Sequence, residues 1–203
     1  MIFAVLASDS QKEEIVQSPF FRKHEVVYSE NDSLWAHHMA DAFFDLRFEP
    51  RPERITELAK LLPKPILVNS VVDTLDQIHP SFIRINAWPG FLKGNCLEAA
   101  ARPQVQATAA VMFGEDLIFV RDCPGLVSPR IIAMILNEAY FTLDQGISSK
   151  EEIDIAMKLG TGYPYGPFEW ESIIGKQRVL ALLEKLSESD GLYVLADGWK
   201  DPH

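Results

Sequence analysis

A chain of 203 residues, 47% apolar and 24% charged, is globular and can bury a substantial core as one large or two small domains. Its net charge of −10 argues against nucleic acid and anionic membranes as partners, because no basic run is present to neutralise phosphates. Two cysteines, Cys96 and Cys123, lack metal-ligand spacing and a disulfide framework, so a reducing interior and a cytoplasmic location are expected.

The opening Met-Ile-Phe-Ala-Val-Leu-Ala-Ser has no basic flank and is too short to span a bilayer. It reads as a first strand, Ile2 to Ala7, buried on both faces. A helix over Ser8 to Phe21 and a second strand over His24 to Ser29 complete the opening of a βαβ unit. A dinucleotide-binding turn would place Gly-x-Gly-x-x-Gly between the first strand and the helix, but Ala7, Asp9 and Lys12 hold those positions. The glycines normally let backbone N–H groups approach a diphosphate, and an aspartate in the middle adds like-charge repulsion. Ser8, Asp9 or Ser10 is a good helix cap instead. Lys12 reads either as a phosphate-binding charge or as a solvated surface residue.

Ala40 to Phe48 predicts a third strand, closed by Pro50 and Pro52. Arg54 to Leu62 predicts a short helix with Ile55, Leu58, Ala59 and Leu62 on one side. Strands are expected over Pro65 to Val68 and Phe82 to Trp88. Val105 to Val120 reads as a helix, a turn and a closing strand. Pro124-Gly125 makes a turn, Ser128 is a candidate cap, and Pro129 falls at a first helical position where its missing N–H costs nothing. Ile131, Ile132, Ile135, Leu136, Ala139, Tyr140 and Leu143 then trace a broad apolar arc, ended by Gly146. Ser148 or Ser149 with Glu151 and Glu152 caps a second helix through about Leu159. Glycines and prolines force an irregular turn before Phe168, and Arg178 to Leu186 predicts a fourth helix. The boundary between the two parts falls between 121 and 122.

The run Asp122-x-Pro-Gly-Leu-Val, Arg130, Asn137-Glu-Ala139, Gly146, Ile153-Asp-x-Ala-Met157 and Gly160-x-Gly-Tyr-Pro-x-Gly-Pro-Phe-Glu169 resembles the C-terminal helical domain of the NAD-dependent L-3-hydroxyacyl-CoA dehydrogenases. The resemblance implies an α/β fold. A Rossmann-like N-terminal domain with a mostly parallel sheet, 1–121, would be followed by an all-α dimerisation domain, 122–203. It further implies an acyl-CoA ligand, a place in fatty-acid metabolism and a homodimer.

Against that family the N-terminal part is shortened and altered. Glu30 matches the family's acidic residue for the adenine ribose, though such a residue is usually solvent-facing. Asp45 and Glu49 align with acidic positions near the nicotinamide. Only ten residues separate Glu30 from Asp41, where the family has a long helical excursion that helps form the acyl-CoA site. The family's substrate-contacting serine corresponds to Val72, with Ser70 nearby. The family's general-base histidine precedes its orienting glutamate by twelve residues; counting back from Glu98 gives Asn86, and a carboxamide cannot take a hydroxyl proton. Glu98 itself reads either as a rearranged base or as a solvated cap at the start of an exposed helix. Pro129 stands where the family has a catalytic-site asparagine, and it has no side-chain donor. Three expectations follow: a degenerate member without bound cofactor, acting in binding or as an assembly subunit; an active NAD-dependent enzyme with a rearranged site; or a structural dimer.

Overall fold

The structure, a computed structural model, describes residues 1–29, 34, 37–189 and 193–200. It falls into two compact units, Met1–Leu126 and Val127–His203.

In the first unit, the sequence Ile-Phe-Ala-Val-Leu forms β1, Ile2–Leu6, whose last four residues are buried. A strand covered on both faces needs apolar side chains at successive positions rather than alternate ones. Helix α1, Asp9–Gln17, follows, then a 3₁₀ turn, Phe21–Lys23, and β2, Glu25–Tyr28. The unit continues with β3, Ala42–Asp45; α2, Pro52–Ala59; β4, Ile66–Asn69; and β5, Ile83–Ile85. After these come β6, Leu97–Ala100; α3, Pro103–Phe113; and β7, Leu117–Phe119. Among the described residues these strands make one seven-stranded sheet in the order β2-β1-β3-β4-β5-β6-β7. The first five run parallel, β6 pairs antiparallel with β5, and β7 runs parallel to β6.

Successive side chains of β3 serve opposite faces of the sheet, as the two-residue period of a strand requires. Phe44 joins Phe3, Phe20, Phe21 and Phe113 in one core, while Phe43 joins Leu58, Leu61, Ile66, Val68 and Phe82 in the other. The third strand is shorter than its apolar run predicts: Ala40 and Asp41 precede it, and Leu46 and Arg47 form a turn directly after it. Strand β6 was not foreseen: Leu-Glu-Ala-Ala favours a helix locally, and pairing with β5 overrides that preference.

The second unit is helical among the described residues. Helix α4, Ser128–Asp144, begins one residue before Pro129, so Val127 rather than Ser128 holds the cap position. Helix α5, Lys150–Thr161, opens with a reciprocal capping box between Ser149 and Glu152 and closes on Gly162, whose φ of 70° suits a residue without Cβ. Then come α6, Pro167–Ile174, and α7, Lys176–Ser189. Leu136, Tyr140, Phe168, Val179, Leu182, Leu183 and Leu186 are buried in this unit.

Candidate functional site

The chain leaves β1 for β2 on one side and returns to β3 on the other, so the sheet order reverses at β1. Open α/β sheets take ligands in the crevice beyond the carboxyl ends of their strands at such a reversal. In this protein the chain's own side chains hold that position. Ser8 caps α1: Gln11 N donates to Ser8 Oγ at 3.3 Å, and Gln11 Oε1 accepts from Ser8 N at 2.9 Å and Ser8 Oγ at 3.1 Å. The other end of the same carboxamide crosses the crevice. Gln11 Nε2 donates to the Leu46 carbonyl beyond β3 at 2.9 Å and to the Ala87 carbonyl beyond β5 at 3.2 Å.

Asn69, at the end of β4, runs a parallel bridge. Its Nδ2 donates to Leu46 O at 3.1 Å and its Oδ1 accepts from Ala87 N at 3.1 Å. One turn along α1, the buried Glu14 accepts from Gly90 N at 2.8 Å and Leu92 N at 3.2 Å.

The residues present do not fit a diphosphate at this helix end. The cap is made internally, Cβ-bearing residues replace the glycines, and Gln11 lies across the approach. Lys12 sits against Asp9 at 3.1 Å and over the Tyr28 ring at 5.7 Å, which accounts for its charge without a ligand.

The other sequence candidates have separate fates. Glu30 lies outside the described residues. Asp45 is fully buried and accepts from Arg54 Nε at 2.7 Å and Arg47 N at 3.2 Å. Burial pushes its carboxyl up from the ordinary value, and the Arg54 guanidinium pulls it back. Glu49 is exposed and sits 3.3 Å from Arg51. Asn86 and Glu98 are brought together across the β5–β6 pairing, with Asn86 N donating to Glu98 O at 3.1 Å. The Asn86 side chain accepts from Trp88 N at 3.3 Å. Glu98 stands in β6, not at the start of a helix, and this corrects the expectation drawn from its neighbours. Ser70 is buried and donates to Asp73 O at 2.9 Å. Among the described residues, no group of three or more His, Cys, Asp or Glu side chains is placed to hold a metal ion.

Besides Gln11 and Glu14, the sequence reading missed a buried arginine. Arg84 is completely buried in β5. It donates to Ser70 O at 2.9 Å, Val71 O at 3.0 Å, Cys123 O at 3.3 Å and the Asp122 carboxylate. Asp122 also accepts from Leu75 N at 3.1 Å. A guanidinium so supplied with carbonyls and one carboxylate meets the conditions for burying a charge. The only sequence signal was an arginine inside an otherwise apolar strand.

In the second unit the motif residues build helix ends and a strap. Asp154 of α5 accepts from Phe168 N at 2.8 Å and Glu169 N at 3.2 Å, capping α6. Gly166 packs so tightly there that an added Cβ would lie 2.5 Å from the Asp154 Cα. Asn137 accepts from Ala196 N at 3.1 Å and Trp199 Nε1 at 2.9 Å and donates to Val194 O at 2.8 Å. It thereby fastens residues 194–199 along α4. Tyr140 packs against Trp199 with ring centroids 4.4 Å apart in a tilted arrangement and donates to Glu171 at 2.9 Å; burial foremost, then that carboxylate, drives its hydroxyl far above the ordinary tyrosine value.

Residues 125–198 match the 3-hydroxyacyl-CoA dehydrogenase C-terminal domain. A 3-hydroxyadipyl-CoA dehydrogenase of Escherichia coli is 31% identical over 160 residues, covering 75% of this chain and 33% of that protein. Over residues 125–198 the chain belongs to the 3-hydroxyacyl-CoA dehydrogenase family. A 3-hydroxybutyryl-CoA dehydrogenase of Clostridioides difficile is 45% identical over 67 residues, 33% of this chain and 24% of that protein. The chain thus spans a quarter to a third of the length of these curated relatives. The fold extends the likeness over the whole chain. A crystal structure of (S)-3-hydroxybutyryl-CoA dehydrogenase from Ralstonia eutropha superposes with a TM-score of 0.71 at 18% identity, covering 98% of this chain and 92% of that one. The Rossmann-like first unit and the helical second unit therefore share their folds with the two parts of that structure.

Proposed function

We propose that this protein is a 3-hydroxyacyl-CoA dehydrogenase-family member without redox activity, which binds an acyl-CoA-like small molecule or serves as a subunit of an assembly. The observation that carries this reading is Asn86. It stands opposite Glu98, where the family resemblance places the general base, and its carboxamide neither titrates near neutrality nor accepts a proton from an alcohol. The internally satisfied end of α1 supports the same reading, since a helix end capped by its own Ser8 and Gln11 is poorly suited to take a diphosphate. A homodimer through residues 122–203 and a cytoplasmic setting, with Cys96 and Cys123 both free, belong to the same proposal. Among the described residues no helix is long and apolar enough to cross a membrane.

The competing reading is an active NAD-dependent enzyme with a rearranged site, favoured by the dehydrogenase names of the relatives and by the presence of an acidic residue, Glu98, whose backbone carbonyl pairs with Asn86. Thermal-shift titration separates the two, since a ligand that prefers the folded state raises the melting temperature with concentration. Acetoacetyl-CoA is expected to shift it and NADH is not. NADH oxidation by the wild type would overturn the proposal. Asn86→His is expected to leave the rate at background, because the nucleotide end of the site remains unsuited; a gain of orders of magnitude would support the competing reading.

A further inference from the structure

We infer that Gln11, Asn69 and Glu14 form a polar seal that holds the carboxyl-edge crevice shut, so that the place a ligand takes in such a sheet is filled by the protein itself. The inference rests on the proposed absence of a bound dinucleotide and adds the means by which the space is occupied.

The geometry leaves the Gln11 carboxamide nothing to offer a ligand. Its oxygen accepts two hydrogen bonds from Ser8 and its nitrogen donates two, to Leu46 and Ala87. That uses every position a carboxamide has. The two carbonyls it reaches lie beyond different strands, β3 and β5, with β4 between them. Asn69 at the end of β4 touches the same two residues, Leu46 through its carbonyl and Ala87 through its N–H. Two carboxamides and the backbone groups of two residues, Leu46 and Ala87, thus close a ring over three neighbouring strand ends. Glu14 extends the closure by holding the loop after β5 through Gly90 N and Leu92 N. Gln11, Glu14 and Ala87 are all buried, and Asn69 is half-buried. Buried groups paired this completely are expensive to separate, because each would be left without a partner and without water. Any ligand entering the crevice must therefore break bonds that it has no means of replacing all at once.

The seal has a signature that glycine loss alone does not produce. The amides of Ala87, Gly90 and Leu92 lie in irregular backbone after β5, yet each donates to a side chain of the seal. Native-state hydrogen exchange on the wild type should show all three protected. Asn69→Ala should speed exchange at Ala87 by at least about tenfold, and Glu14→Ala should do the same at Gly90 and Leu92. Glu14→Gln keeps one accepting oxygen and should speed only one of that pair. Gln11→Ala should speed Ala87 as well, by loosening the neighbouring carbonyl. Unprotected amides in the wild type, or rates unchanged in Asn69→Ala and Glu14→Ala, would overturn the seal. If a variant fails to fold, the wild-type protection pattern alone decides. Millimolar NADH should leave the wild-type rates unaltered. Slower exchange with NADH would show a crevice that admits the dinucleotide, and would overturn the proposed function as well as the seal. Fast exchange without NADH overturns the seal alone.

Discussion

Replacing Asn137 by alanine tests how the strap of residues 194–199 is held. The side chain makes three hydrogen bonds, to Val194 O, Trp199 Nε1 and Ala196 N. They do not count equally. Val194 is 64% exposed, so its carbonyl regains water at little cost, whereas Ala196 is 0% and Trp199 3% exposed. Two buried donors left without an acceptor cost about 1–3 kcal/mol each. The upper end is limited, because the strap can lift once the penalty exceeds what its docking contributes. That contribution is mainly the burial of Trp199, about 2–3 kcal/mol. Asn137→Ala is therefore expected to lower stability by about 2–4 kcal/mol in urea denaturation followed by circular dichroism. It should also make residues 194–199 readily cleaved by protease. A double-mutant cycle with Trp199→Phe, which removes one of the two buried donors, should show the pair to be less than additive by about 1–2 kcal/mol. A loss within about 0.5 kcal/mol, or full additivity, would refute the reasoning.

Arg84→Met leaves Asp122 without its cation and should cost about 3–5 kcal/mol in the same urea titration. Adding Asp122→Asn to that variant should recover part of the loss, and no recovery would mean the pair is not the source. Gly166→Ala drives a Cβ into the Asp154 backbone and should cost about 1–3 kcal/mol, with α5 and α6 loosening together in hydrogen exchange. His24 is packed against Phe3 at 4.2 Å, and burial, with the N-terminal charge second, lowers its basicity below the ordinary 6.5. Its unfolded form therefore binds the proton more readily, so its contribution is complete above about pH 6.5 and is lost as the pH falls through the lower folded value. Melting temperatures taken between about pH 7 and pH 5 should fall less steeply for His24→Phe than for the wild type. Equal slopes would remove His24 as the cause.

Local signals made much of this fold legible, and long-range pairing hid the rest. The Ser149–Glu152 box that starts α5 and the Gly162 that ends it lie within one short local stretch, and the structure has both. The apolar runs of β1 and β4 read correctly for the same reason. Strand β6 was hidden because Leu-Glu-Ala-Ala carries no two-residue alternation and acquires its state only from β5. At the candidate site, the missing glycines were visible from the residues at positions 7, 9 and 12. What replaces them was not: Gln11 looks like a surface residue of an amphipathic helix until Leu46 and Ala87, 35 and 76 positions away, are brought beneath it. The pairing of Asn86 with Glu98 could be counted out on the sequence, but the strand that presents Glu98 could not.

Anyone separating the two units should cut after Leu126. The strongest family motif begins at Asp122, which invites a start there for the helical piece, yet that aspartate answers Arg84 deep in the sheet. Taking residues 122–126 away would strip a buried guanidinium of the carboxylate it is bonded to, and Gly125, whose N–H reaches Val71 O at 2.8 Å, would leave a second gap. The first piece would then be prone to aggregate for reasons unrelated to its own core, while the helical piece would carry a tail with nothing to grip.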